Sequence, residues 1–232
     1  AKKFGIANLF QIEELGNISF TLDIAANGSN GYQYSKTEEI QVRISLEQLN
    51  FPYNTESQIK SDPIVVDLDN DGDYELIFAS YSGLIKIIKD GIELDDGTFP
   101  YDLGDQIWGA ISSADIDLDG MQDFIVASKN KHIYAFDING VKFDYNTEKY
   151  LIATPVIGNI DDDLELEVIV GSYSSPTSDN RLYAINHDGT DVMGYPFLVG
   201  EKIKSGVALA DMNDNGLDDI IFGTDSDNLY VL

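Results

Sequence analysis

Asp67, Asp69, Asp71 and Glu75 occupy positions 1, 3, 5 and 9 of a nine-residue segment whose sixth residue is Gly72. Side-chain oxygens at that spacing, with glycine at a sharp turn, are ligands suited to a hard cation, and the backbone carbonyl of Asp73 adds one more oxygen. The segment recurs three times. Asp115, Asp117, Asp119, Met121 (carbonyl) and Asp123 match it position for position, with Gly120 in the sixth place. Asn159, Asp161, Asp163, Glu165 (carbonyl) and Glu167 form the third copy; Asp211, Asn213, Asn215, Leu217 (carbonyl) and Asp219 form the fourth. Recurrence in phase makes the cation part of the architecture, and up to four Ca²⁺ ions are expected.

Competing readings of these loops are weaker. Asp and Asn also cap tight turns, but several carboxylates converging without a cation would repel one another. An EF-hand needs an acid at position 12, where this chain has Phe78, Val126, Val170 and Phe222. Mg²⁺ prefers to keep several waters. Leu164 stands where the other loops have glycine. A non-glycine residue held at positive φ costs about 1 kcal/mol, so the third site is expected to be the weakest or most distorted.

The elements that would hold these loops follow from a second motif. Phe51-Pro-Tyr, Phe99-Pro-Tyr, Phe143-Asp-Tyr and Tyr195-Pro-Phe each lie 16 residues before position 1 of a loop. Units of 48, 44 and 52 residues result, at 51–98, 99–142 and 143–194, with a shorter fourth at 195–232. Periods of 20–50 residues indicate solenoids or propellers. The longer third unit carries Ser174–Asn180, expected to be a surface turn. Within a unit, a short run such as Pro63–Val66 precedes the loop, and a continuous apolar run such as Glu75–Ala79 follows it. A third run such as Leu84–Ile88 leads to a Gly turn at Asp90-Gly91, Asn139-Gly140 or Asp188-Gly189, a hairpin signal. The Phe-Pro-Tyr segment then suits an outer fourth strand, where proline is tolerated. Four strands in about 45 residues describe a β-propeller blade.

Residues 1–50 do not share the repeat. Ile18, Phe20, Leu22 and Ile24 alternate with polar residues, as do Ile40, Val42, Ile44 and Leu46, around the turn cluster Asn27–Gly31. A lone hairpin is marginally stable, so this segment is expected to be the last strand pair of an upstream β-sandwich. The expected class is all-β, a partial propeller of about four four-stranded blades after a hairpin remnant. A first residue other than Met adds the expectation that the chain is a piece of a larger multidomain protein.

Composition narrows the partners. The 232 residues are 43% hydrophobic, enough for a sizeable core, and carry a net charge of −27 from 41 acids against 14 bases. Such a chain repels nucleic acid and anionic membranes. No apolar run approaches the ~18 residues a membrane span needs, and with no cysteine neither disulfides nor thiolate chemistry arise.

The Asp-x-Asp-x-Asp-Gly-x-x-Asp/Glu loops followed by apolar runs resemble the FG-GAP/VCBS repeats, the calcium-loop blades also found in integrin α-subunits. The resemblance spans about residues 51–232 and implies Ca²⁺ held between the first two strands of each blade. It also implies a secreted or cell-surface protein, of the bacterial multidomain kind, used in recognition or adhesion of a protein or carbohydrate ligand. No catalytic or cofactor-binding residue is expected: His132 and His187 occupy repeat slots filled elsewhere by other residue types. Two alternatives remain, a quinoprotein-like propeller enzyme, to whose repeats Leu182–Gly189 is similar, and a spacer beside a secreted hydrolase. Trp108, in a column with Lys60, Ile152 and Lys204, is expected on a propeller face, as a binding anchor or as partly buried packing.

Overall fold

A computed structural model describes residues 16–27, 33–44 and 50–232, which divide after Tyr53 into two compact units. In the first, β1 (Gly16–Asn27) pairs antiparallel with β2 (Gln33–Ile44), Ile18 opposite Val42 and Phe20 opposite Ile40, as the alternation anticipates. Residues 28–31 of the turn cluster, Leu46 and the side chains of Ile18, Phe20 and Leu22 lie outside the described ones.

The second unit is a succession of four antiparallel sheets. Sheet 1 holds β3 (Ile64–Val66), β4 (Glu75–Ala79) and β5 (Leu84–Lys89), with β6 (Ile92–Glu93) and β7 (Tyr101–Asp102) both paired to β5. Sheet 2 runs β8 (Ser112–Ala114), β9 (Asp123–Ala127), β10 (His132–Asp137) and β11 (Gly140–Asn146). Sheet 3 runs β12 (Val156–Gly158), β13 (Glu167–Gly171), β14 (Arg181–Ile185) and β15 (Phe197–Leu198); sheet 4 holds β16 (Ala208–Ala210), β17 (Asp219–Gly223) and β18 (Leu229–Val231). Three of the four Phe-Pro-Tyr-type segments supply outer strands, with Tyr101, Phe143 with Tyr145, and Phe197 lying in them, whereas Phe51–Tyr53 lies in no strand. The 174–180 insertion is a 3₁₀ turn over Thr177–Asp179, anchored by the fully buried Asn180, whose amide bonds the Ser174 N–H and carbonyl and the Thr177 carbonyl.

Strand alternation explains why the middle runs are apolar throughout. In sheet 2, Phe124, Val126, Tyr134 and Phe136 face sheet 1, where they pack with Ile77, Ile85, Ile87 and Phe99. Their neighbours Ile125, Ile133 and Ala135 face the other way and pack with Val168, Val170, Tyr183 and Ile185 of sheet 3. Ile169, Leu182 and Ala184 turn toward Ile203, Ile220 and Phe222. A sheet covered on both faces has no polar side, so the period-2 signal disappears into a continuous hydrophobic run. The first strands β3, β8, β12 and β16 are successive neighbours, so the sheets fan outward from one side.

Close approach between sheets is set by small residues. A Cβ added to Gly109 would stand 2.5 Å from the Ala153 carbonyl oxygen, in the next repeat. Gly109→Ala is therefore expected to destabilise the protein by about 1–3 kcal/mol. Urea denaturation followed by fluorescence measures this, and an unchanged midpoint would show that the sheets separate freely at that point.

Candidate metal centre

Each acidic loop joins the first strand of a sheet to its second, and position 9 is the first residue of that second strand. Glu75, Asp123 and Glu167 are there 0% exposed. One oxygen of each position-9 carboxylate accepts the backbone N–H of position 2: Leu68 at 2.7 Å, Ile116 at 3.1 Å, Ile160 at 2.7 Å and, to Asp219, Met212 at 2.8 Å. The acid thus closes its own loop across seven residues.

Loops 1, 2 and 4 share a backbone. The position-1 carboxylates of Asp67, Asp115 and Asp211 each accept the N–H groups of positions 5 and 6, at 2.8–3.1 Å. Asp71, Asp119 and Asn215 accept the N–H of position 7. Gly72, Gly120 and Gly216 have φ of +91° to +93°, and Asn70, Leu118 and Asp214 at position 4 are also left-handed. Loop 3 differs. Asp162 and Leu164 are not among the positive-φ residues, and the Asn159 amide donates instead to the Asp163 carbonyl. The expected strain at Leu164 does not arise, because the backbone takes another path and leaves Leu164 77% exposed. The loop is altered in shape without that penalty.

Carboxylate oxygens of Asp67, Asp69 and Asp71 converge within 4.8 Å of one another, as do those of Asp115, Asp117 and Asp123, and those of Asp161, Asp163 and Glu167. Six oxygens of these loops are shielded from solvent and accept no hydrogen bond: Asp69 Oδ1 and Glu75 Oε1, Asp117 Oδ1 and Asp123 Oδ1, Asn159 Oδ1 and Glu167 Oε1. Buried polar atoms are nearly always bonded, so two unbonded oxygens per loop fit a cation with an all-oxygen shell. The position-7 residues Asp73, Met121, Glu165 and Leu217 lie at the outer turns, from half-buried to exposed. Loop 4 has carboxylates at only two of the ligand positions, Asp211 and Asp219, and the Asn213 amide nitrogen bonds both oxygens of Asp219, at 3.0 and 3.2 Å.

Two lysines that the repeat pattern does not single out enter the loops. Lys89 Nζ lies 2.5 Å from Asp69, 2.6 Å from Asp71 and 3.2 Å from Glu75 Oε1. Lys142 Nζ lies 2.7 Å from Asp117 and 2.9 Å from Asp123 Oδ1. The contacts to Glu75 and Asp123 are within ion-pair reach but are not aligned as hydrogen bonds. Bonding to Asp69 and then Asp71 raises the Lys89 pKa, and bonding to Lys89 lowers that of Asp71. Burial pushes Asp123 up despite Lys142. Glu167 is pushed up to about 7, first by burial and then by Asp161 and Asp163, with only backbone N–H groups opposing. Among the described residues no lysine or arginine forms an ion pair with loop 3. The only sequence signal for Lys89 and Lys142 is their place beside hairpin turns near the loops.

The other ends of the strands carry different chemistry. Lys60 Nζ lies 4.2 Å from the Tyr81 ring centre and 4.6 Å from that of Trp108, with Lys129 5.0 Å from Trp108. Lys131 lies over Tyr150, and Lys202 and Lys204 over Tyr173. Trp108 is 39% exposed and its Nε1 donates to Gln106. A cavity of about 460 Å³ opens here, lined by Trp108, Lys129, Tyr150, Tyr173 and Lys202 among others. Of the histidines, His132 pairs with Asp144 and stacks on Tyr134, while His187 is half-buried.

No family model matches the chain, and no curated protein matches it. Among solved structures it is similar to BBS1N, a β-propeller, in its complex with ARL6DN: TM-score 0.54 at 19% identity, over 76% of this chain and 51% of that one. It is also similar to the biofilm matrix protein Bap1 of V. cholerae, with TM-score 0.51 at 18% identity, over 78% of this chain and 32% of that one. The chain thus spans about half of the first structure and a third of the second. The fold is β-propeller-like.

The position-9 clamp yields a prediction independent of any metal. In EGTA, Glu75→Ala leaves the buried Leu68 N–H without its acceptor and is expected to lower stability by about 1–3 kcal/mol. Glu75→Gln, which retains an acceptor oxygen, is expected to cost less. Equal losses in chemical denaturation would mean that the N–H bond is not what holds the loop closed.

Proposed function

We propose that the chain is a calcium-binding β-propeller module of FG-GAP/VCBS type, non-enzymatic, which mediates recognition or adhesion in a secreted or cell-surface protein. The observation that carries it is the pair of buried, unbonded oxygens in each of loops 1–3. Asp67, Asp69, Asp71 and Glu75 would hold one ion, Asp115, Asp117, Asp119 and Asp123 a second, and Asn159, Asp161, Asp163 and Glu167 a third. Loop 4, with Asp211, Asn213, Asn215 and Asp219, has the least charge to offer. An ion in such a loop neutralises converging carboxylates and ties the turn between two strands. Module affinities of about 10⁻⁴–10⁻³ M suit a calcium-rich exterior.

The recognition surface we assign is the lysine–aromatic face. Of the ten basic residues in 54–232, five (Lys60, Lys129, Lys131, Lys202 and Lys204) lie over aromatic rings at that end of the strands. Exposed Trp and Tyr beside cations suit an anionic partner, since aromatic anchors dominate binding energy and local charge steers encounter. BBS1N is seen in a protein complex and Bap1 belongs to a biofilm matrix; both support a role in interaction.

Calcium at tenfold its dissociation constant is expected to stabilise the protein by about 1.4 kcal/mol per site. Thermal melts in EGTA and in millimolar calcium measure this, and identical melting temperatures would sink the reading. On arrays of glycans and proteins, Trp108→Ala with Lys129→Ala is expected to reduce capture at least tenfold, and undiminished capture would remove the face from consideration.

A further inference from the structure

The four loops occupy the same place in the repeat but balance their charge in different ways. In loop 1 an ammonium group lies 2.5 and 2.6 Å from two carboxylates, and 3.2 Å from the oxygen of Glu75 that accepts no hydrogen bond. In loop 2 another ammonium takes the equivalent place against Asp117 and Asp123 Oδ1. The two lysine side chains are only 26% and 16% exposed, so each is held at the loop and does not sweep through solvent. Loop 4 turns the Asn213 amide onto Asp219. Loop 3 has Asp161, Asp163 and Glu167 converging, two unbonded buried oxygens, and no lysine or arginine paired with it among the described residues.

A divalent ion needs the same oxygens that Lys89 and Lys142 hold. Binding in loops 1 and 2 therefore requires the ammonium to leave, and the observed affinity falls by the fraction of time the lysine is absent. Binding in loop 3 displaces no lysine or arginine among the described residues. We propose that Lys89 and Lys142 are tethered occupants of loops 1 and 2 that compete with a divalent cation, and that loop 3 is the loop of highest calcium affinity. This rests on the calcium reading above and inverts the ranking that Leu164 suggests. A tethered cation also keeps the first two sheets folded at low calcium, so calcium-dependence concentrates at the β12–β13 corner.

The inference is tested with the 232-residue chain stripped by EGTA and titrated with Ca²⁺ by calorimetry, with calcium-selective equilibrium dialysis as a second readout. The wild type is expected to show one tight site and weaker ones. Asp161→Asn, or Glu167→Gln should the first misfold by circular dichroism, is expected to remove the tight site alone. Lys89→Met and Lys142→Met are each expected to strengthen one of the weak sites about tenfold while lowering the melting temperature in EGTA. A lysine that merely packs would lower that temperature without raising calcium affinity. Survival of the tight site in both loop 3 variants, or unchanged or weakened sites in the lysine variants, overturns the inference and leaves the calcium reading standing. Absence of calcium binding in every protein overturns both.

Discussion

Everything in the repeat unit turns on one crowded corner, where a buried acid at the start of the second strand bonds back to the amide two residues into the loop. Glu75, Asp123 and Glu167 make this bond with one oxygen and leave the other buried without a hydrogen bond; Asp123 converges with Asp115 and Asp117, and Glu167 with Asp161 and Asp163. The corner that joins the first two strands is therefore also a concentration of negative charge, and buried like charges are costly unless something positive meets them. Lysine does so in loops 1 and 2 and an asparagine amide in loop 4, while among the described residues no lysine or arginine pairs with loop 3. Burial first, and then Asp161 and Asp163, raise the pKa of Glu167.

The stacked sheets translate this local constraint into a second unit whose strands have two unlike ends. Because β4 runs from Glu75 in the first loop to Ala79 beside Tyr81, acidic loops gather at one end of the strands and the lysine–aromatic ladder at the other. Net charge alone conceals this. A chain at −27 presents half of its propeller lysines and arginines beside Tyr81, Trp108, Tyr150 and Tyr173. Local fields within a Debye length of about 8 Å govern the final approach of a partner, whatever the distant charge.

Similarity to BBS1N and Bap1 at 19% and 18% identity speaks to fold, and folds of this kind serve many functions. The functional reading stands on the loops and the ladder. The calcium proposal rests on the buried oxygens of loops 1–3 that accept no hydrogen bond.

Much of this was legible in the residue order. Loop spacing, the constant 16-residue offset and continuous runs such as Phe124–Ala127 announced stacked antiparallel sheets, of which sheets 2 and 3 have the expected four strands, because alternation and turn chemistry are local properties of the chain. The acidic side chains that converge in loops 1–3 could be named for the same reason. Three things were not local. Leu164 escaped its expected strain because loop 3 adopted a different backbone, a choice made by hydrogen bonds such as Asn159 to Asp163. Lys89 and Lys142 enter the loops only when the hairpin after the third strand folds back toward the first corner. Trp108 meets Lys60 and Lys129 only when neighbouring repeats stack. Spacing within a segment determines which groups are available; distances between segments, set by packing of whole sheets, decide which charges meet.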